Sequence, residues 1–160
     1  MKAKNYALLG FVIASLFIPT ISMALATENK EIYRTASPEE VQSIFPTIID
    51  LGPVRGVRVV KPDFTYEYID DDRTLSPDTL AQYGAYYPYA VSVQIKTLSP
   101  SGYTLTVSII SGGQTKWSGE LGAGESSPTI TCNGAATYVR IFNQNSVSIH
   151  YTSRITLIYN

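Results

Sequence analysis

Residues 103–110, "YTLTVSII", alternate up to their last residue: Tyr103, Leu105, Val107 and Ile109 are large and apolar, Thr104, Thr106 and Ser108 small and polar. Successive side chains of a strand point to opposite faces, so this run has one greasy face and one wet face. A helix would scatter the same residues around its circumference. The pattern recurs on both sides. In "VSVQIK" (91–96), Val91, Val93 and Ile95 oppose Ser92, Gln94 and Lys96. In "TKWSGEL" (115–121), Thr115, Trp117 and Leu121 oppose Lys116, Ser118 and Glu120. In "VSIHY" (147–151), Val147, Ile149 and Tyr151 oppose Ser148 and His150, and "RITLIY" aligns Ile155, Leu157 and Tyr159. Strands that are wet on one side only belong to antiparallel sheets covered on one face.

Turn residues punctuate these runs. Ser111-Gly112-Gly113 predicts a hairpin, "GAGESSP" (122–128) a longer loop, Asn133-Gly134 a tight turn, and Asn143-Gln144-Asn145-Ser146 a second hairpin. Short strands at this spacing predict an all-β chain, a single antiparallel β-sandwich of jelly-roll or immunoglobulin-like Greek-key type, with a small β-barrel as the alternative.

The N-terminal half has a different texture. Lys2 and Lys4 precede "YALLGFVIASLFI", Pro19 breaks that run, and "ISMALA" ends in Ala24-Leu25-Ala26. A basic start, a short apolar stretch and small residues two apart are the marks of a cleaved secretory signal, here residues 1–26. The run is short for a membrane span and is interrupted by Ser15, Pro19 and Ser22. Residues 27–53 form a lead segment and residues 54–160 the sandwich. In the lead, "SPEEVQSIFP" (37–46) predicts a short helix with Ser37 as N-cap, Pro38 at its first position and Glu40 closing the capping box. "LSPDTLAQYG" (75–84) repeats that grammar, with Ser76 as cap and Gly84 as terminator. "VRGVRVV" (54–60) and "FTYEYI" (64–69) predict strands.

Charge and cysteine content narrow the function. After signal removal 10 basic residues face 13 acidic ones, a net charge of −3, and Lys and Arg never cluster. Nucleic acid and anionic membrane surfaces are therefore not expected partners. Cys132 is the one cysteine, so an internal disulfide is impossible, and stability must come from a packed core. Its parity with Ile130 predicts a buried thiol. The absence of an Asn-x-Ser/Thr sequon fits a bacterial exported protein.

Catalytic and metal chemistry find little material. His150 is the only histidine, which leaves a zinc site short of ligands, and its parity predicts a solvated strand residue without a nucleophile or elbow motif. "IDDDRTLSPD" brings Asp70, Asp71, Asp72 and Asp78 close in sequence, the oxygen donors that calcium takes, but without EF-hand spacing. No cofactor other than that calcium is expected. Glu67 between Tyr66 and Tyr68 could serve a glycosidase only with a second carboxylate, which spacing does not supply.

Tyrosine is the remaining signal. Six of the chain's 12 lie between Tyr66 and Tyr89. Phe64, Tyr66 and Tyr68 share a parity; with Thr65 and Glu67 as the wet face they form a core stripe, and with the opposite facing they form an exposed sugar-binding stripe. In "AQYGAYYPYAV" (81–91), counting back from Val91 turns Tyr87 and Tyr89 inward and leaves Tyr83 and Tyr86 on the surface. Tyr66, Tyr68, Tyr83 and Tyr86 are thus the candidate ligand-binding residues. The expectation is a secreted, non-enzymatic binding or structural protein with a polysaccharide, cell-wall or protein partner; the alternatives are an effector or inhibitor that engages a protein, and a small glycoside hydrolase.

Overall fold

The computed structural model describes residues 46–160. Ten strands form two five-stranded sheets. The first sheet runs in the order β1 (Thr47–Asp50), β4 (Thr79–Tyr86), β9 (Thr137–Asn143), β6 (Leu105–Ser111) and β7 (Gln114–Leu121). The second runs β2 (Val57–Val60), β3 (Thr65–Leu75), β10 (Ile149–Tyr159), β5 (Ala90–Ser99) and β8 (Ile130–Thr131). The sheets remain open and separate, a sandwich rather than a barrel. Pairing is antiparallel throughout except for β1, which lies parallel to β4 at the sheet edge. That parallel strand lies within residues 27–53, so part of the lead extends the first sheet.

The core lies between the inner faces. Leu105, Val107 and Ile109 of β6 meet Val91, Val93 and Ile95 of β5 and Ile149, Ile155 and Leu157 of β10 in one buried cluster. Each buried aliphatic side chain contributes roughly 2 kcal/mol, which gives a disulfide-free sandwich its stability. Cys132 is free and buried, as its parity predicts. Trp117 packs half-buried on the edge strand β7. The Gly112-Gly113 hairpin forms as predicted: φ is 59° and 75°, the left-handed pair a two-residue primed turn demands.

Two local expectations fail, and a third is not tested. The helix over 75–84 is strand β4, because Asp78 sits at φ 54° and ends the αR path before it starts. The backbone from Thr79 onward pairs with β1 and β9 instead. The helix over 37–46 lies outside the described residues, apart from Pro46. The segment after Asn143 is no hairpin: β9 and β10 belong to different sheets, so the chain crosses over the sandwich end. Buried Asn143 holds that crossing. Its Nδ2 donates to the carbonyls of Leu75, Ser76 and Val147, tying two inter-sheet connections together.

Candidate functional site: exposed aromatics on the second sheet

Strand β3 decides which side chains face solvent. Its inward row is Glu67, Ile69, Asp71, Arg73 and Leu75; its outward row is Tyr66, Tyr68, Asp70, Asp72 and Thr74. This rules out the core-stripe facing and leaves the exposed one: the core face carries Glu67, and the tyrosine stripe lies outside. Ile69 resolves the parity, because its burial fixes the row that Glu67 shares.

A buried carboxylate is tolerated because both oxygens are satisfied. Gly56 N–H donates to Glu67 Oε1 at 3.0 Å, and Arg58 donates to Oε2 from Nε at 3.1 Å and Nη2 at 3.0 Å. The neighbouring strand β2 thereby clamps onto β3. A Cβ at residue 56 would overlap the Tyr68 carbonyl, so only glycine permits this approach.

The outward face is an aromatic and ionic surface. Tyr66 and Tyr68, both half-buried, lie with ring centroids 6.3 Å apart and planes 12° from parallel. Lys61 Nζ sits 5.1 Å from the Tyr66 ring, and the Arg154 guanidinium 5.3 Å from that of Tyr68. Arg154 makes a bidentate pair with Asp70, which also accepts from Lys96. The hydrogen bonds from Arg154 and Lys96 hold the Asp70 carboxyl well below its usual range. Asp72 lies 3.3 Å from exposed His150 on the same face.

The three consecutive aspartates therefore separate. Asp70 and Asp72 point out, while Asp71 points in toward Tyr83, Tyr151 and Arg73. Asp78 sits on the β3–β4 turn. Among the described residues no three His, Cys, Asp or Glu side chains converge as a metal site would require. The alternation of the strand turns Asp71 away from Asp70 and Asp72.

Asp71 anchors a polar cluster across the sandwich. Tyr83 of β4 and Tyr151 of β10 both donate to its carboxylate, their hydroxyls are 2.9 Å apart, and Arg73 bonds both carboxylate oxygens. Burial alone would raise the Asp71 pKa, but the hydrogen bonds from Arg73 and Tyr83 outweigh it and hold the carboxyl below its ordinary value. Tyr83 is 1% exposed, and Tyr86 is equally buried. Burial pushes the Tyr86 hydroxyl up to about 12. Neither ring is available to a ligand, which corrects the expectation that they lie on the surface.

The tyrosines of this stretch that do reach solvent are Tyr87, 63% exposed, and Tyr89, 38% exposed. Sequence parity missed them because β4 ends at Tyr86 and β5 begins at Ala90. Buried Pro88 lies between, in the crossing from one sheet to the other, and parity does not carry across a sheet change. The Pro88 in "YYPYA" was the available signal, since proline interrupts a strand's pairing.

No protein-family model matches the chain, and no curated protein matches it. Solved structures with a similar arrangement include a Bacillus endospore appendage protein, from a family of disulfide-linked pili, at 13% identity, covering 67% of this chain and 95% of that one, TM-score 0.39. The carbohydrate-binding module CBM36, in complex with calcium and xylotriose, is 16% identical over 57% of this chain and 71% of its own, TM-score 0.30. PliG, a periplasmic inhibitor of g-type lysozyme from Aeromonas hydrophila, is 12% identical over 71% and 98%, TM-score 0.34. At these values the likenesses assign no function.

Proposed function

We propose that this chain is an exported, non-enzymatic binding protein that holds a polysaccharide or cell-wall glycan on the outer face of its second sheet. The observation that carries this reading is the Tyr66–Tyr68 pair, near-parallel and standing on a solvent-facing sheet surface. Aromatic rings set in a row on a rigid sheet offer apolar area at low entropic cost, which suits the flat apolar faces of sugar rings. Arg154, Asp70, Gln94 and Thr156 lie on strands of that sheet as polar partners for hydroxyls. The strand order β4-β9-β6-β7 over β3-β10-β5-β8 is read as a jelly roll in preference to an immunoglobulin-like key. Export rests on the signal-like residues 1–26 and predicts a mature N-terminus at Thr27 in protein recovered from the medium or the periplasm.

The non-enzymatic part rests on the disposition of the carboxylates. Glu67 is buried and ion-paired, and Asp70 is committed to Arg154 and Lys96. A glycosidase needs one carboxyl free to protonate and a second to attack or activate water. The deciding experiment is a binding assay of the mature protein against purified cell-wall and polysaccharide fractions. Retention is expected, with loss of at least about tenfold in affinity, a contribution of roughly 1.4 kcal/mol, for the Tyr66→Ala/Tyr68→Ala variant. Undiminished binding by that variant rejects the outer face as the contact surface.

A second reading, capture of a protein partner by strand addition, is favoured by β2. This four-residue edge strand leaves Val57 and Val60 exposed and its outer hydrogen-bonding edge open among the described residues. It predicts that Val57→Lys abolishes partner capture while leaving glycan retention intact.

A further inference from the structure

The end of the sandwich next to this face carries a second aromatic surface. A cleft there is lined by Tyr87, Tyr89, Asn133, Gly134, Tyr159 and Asn160. Its floor is held by backbone. Tyr89 N–H donates to the Ile158 carbonyl at 2.7 Å, and the Tyr89 carbonyl accepts from Cys132 and Asn133 at 2.6 and 3.0 Å. Gly134 N–H donates to the Pro88 carbonyl at 2.8 Å. Pro88 is buried, so the two tyrosines on either side are projected outward from a fixed backbone rather than from a mobile tip. Preorganised rings lose little freedom on binding.

The chemistry of the lining is selective. It offers aromatic faces and carboxamides, and no charged side chain lines it. Carboxamides both donate and accept, as sugar hydroxyls do, whereas a charged ligand would find no counter-charged side chain in the lining. One aromatic contact links the cleft to the start of β3. Phe64, the residue before β3, stacks its ring on Tyr89 at 6.1 Å and 30°. Two aromatic pairs, Tyr66–Tyr68 on the sheet face and Phe64–Tyr89 at the cleft, thus lie at successive positions from β3 to the sandwich end.

We infer that this cleft is a second subsite for the same ligand, and that the ligand is a neutral, extended polysaccharide spanning several sugar units from the sheet face to the sandwich end. The inference rests on the glycan reading of the outer face and deepens it. Two contact points on one chain raise retention of a polymer far above that of a short oligosaccharide, because the second contact is made intramolecularly.

The test is affinity electrophoresis of the mature protein in gels containing soluble β-glucan, galactomannan, xylan or acidic polygalacturonate. Retardation by at least one neutral polymer is expected, with no stronger retardation by polygalacturonate. Tyr87→Ala, alone and with Tyr89→Ala, is expected to weaken that retardation about tenfold at unchanged melting temperature. Because Tyr87 is largely exposed, the single variant keeps the test valid should the double one fold poorly. Full retardation of Tyr87→Ala, with loss only in Tyr66→Ala/Tyr68→Ala, overturns the cleft and leaves the outer-face reading standing. Preference for polygalacturonate overturns the neutral assignment. No retardation by any polymer overturns both readings.

Discussion

Asp71 shows how much depends on one side chain. Its carboxylate joins the two sheets by accepting from Tyr83 on one and from Tyr151 and Arg73 on the other. Hydrogen bonds to a charged acceptor are worth more than neutral ones, so Asp71→Asn is expected to cost about 2 kcal/mol at pH 7, measured by urea unfolding. The pH dependence follows from the direction of the shift. The folded-state pKa lies below the unfolded one, so the unfolded chain binds the proton more readily as pH falls. The stabilisation is present above about pH 4 and is lost as pH drops through the folded value. Asp70 adds to the same acid limb. Stability of the native protein is expected to fall steeply below pH 4, and the fall to be shallower in Asp71→Asn; parallel acid limbs in the two proteins would contradict this assignment.

Connections between sheets, rather than the strands themselves, carry the distinctive constraints at the scale of elements. The strands are specified redundantly by many alternating residues. The crossings at 76–78 and 144–148 share a single clamp, Asn143, whose amide nitrogen serves three carbonyls and whose carbonyl accepts from Asn145 N–H and Nδ2. Replacing it by alanine leaves the buried Leu75 carbonyl unpaired, at about 1–3 kcal/mol, and frees the part-buried carbonyls of Ser76 and Val147. Asn143→Ala is expected to lower the melting temperature by roughly 5 °C or more, given ~4–8 °C per kcal/mol for a domain near this size. Asn143→Asp, which loses the donor but keeps the shape, is expected to do no better. A melting temperature within a degree of wild type for Asn143→Ala would show that the crossings hold without the clamp.

At the scale of the whole molecule, the open faces and ends of the sandwich are where specificity is available, since the interior is filled. Calcium has no convergent oxygen set among the described residues, so millimolar calcium or a chelator is expected to leave the melting temperature unchanged; a rise of several degrees with calcium would contradict the dispersal of Asp70, Asp71 and Asp72. The sequence by itself determined the class of fold, the strand rows of β5, β6 and β10, the Gly112-Gly113 hairpin, the burial of Cys132 and the solvent position of His150. Those follow from period-two alternation and turn chemistry, which are local. Only the tertiary structure decided the facing of β3 and the fates of the tyrosines at 83–89. Glu67 turns inward because Gly56 and Arg58 on another strand satisfy it. Tyr83 is buried because Asp71 on the facing sheet accepts from its hydroxyl, beside that of Tyr151. Tyr87 and Tyr89 are exposed because the chain changes sheets at Pro88. A buried polar group is decided by partners distant in sequence, and a row of side chains keeps its parity only while the chain stays in one sheet; neither condition is written in the segment itself.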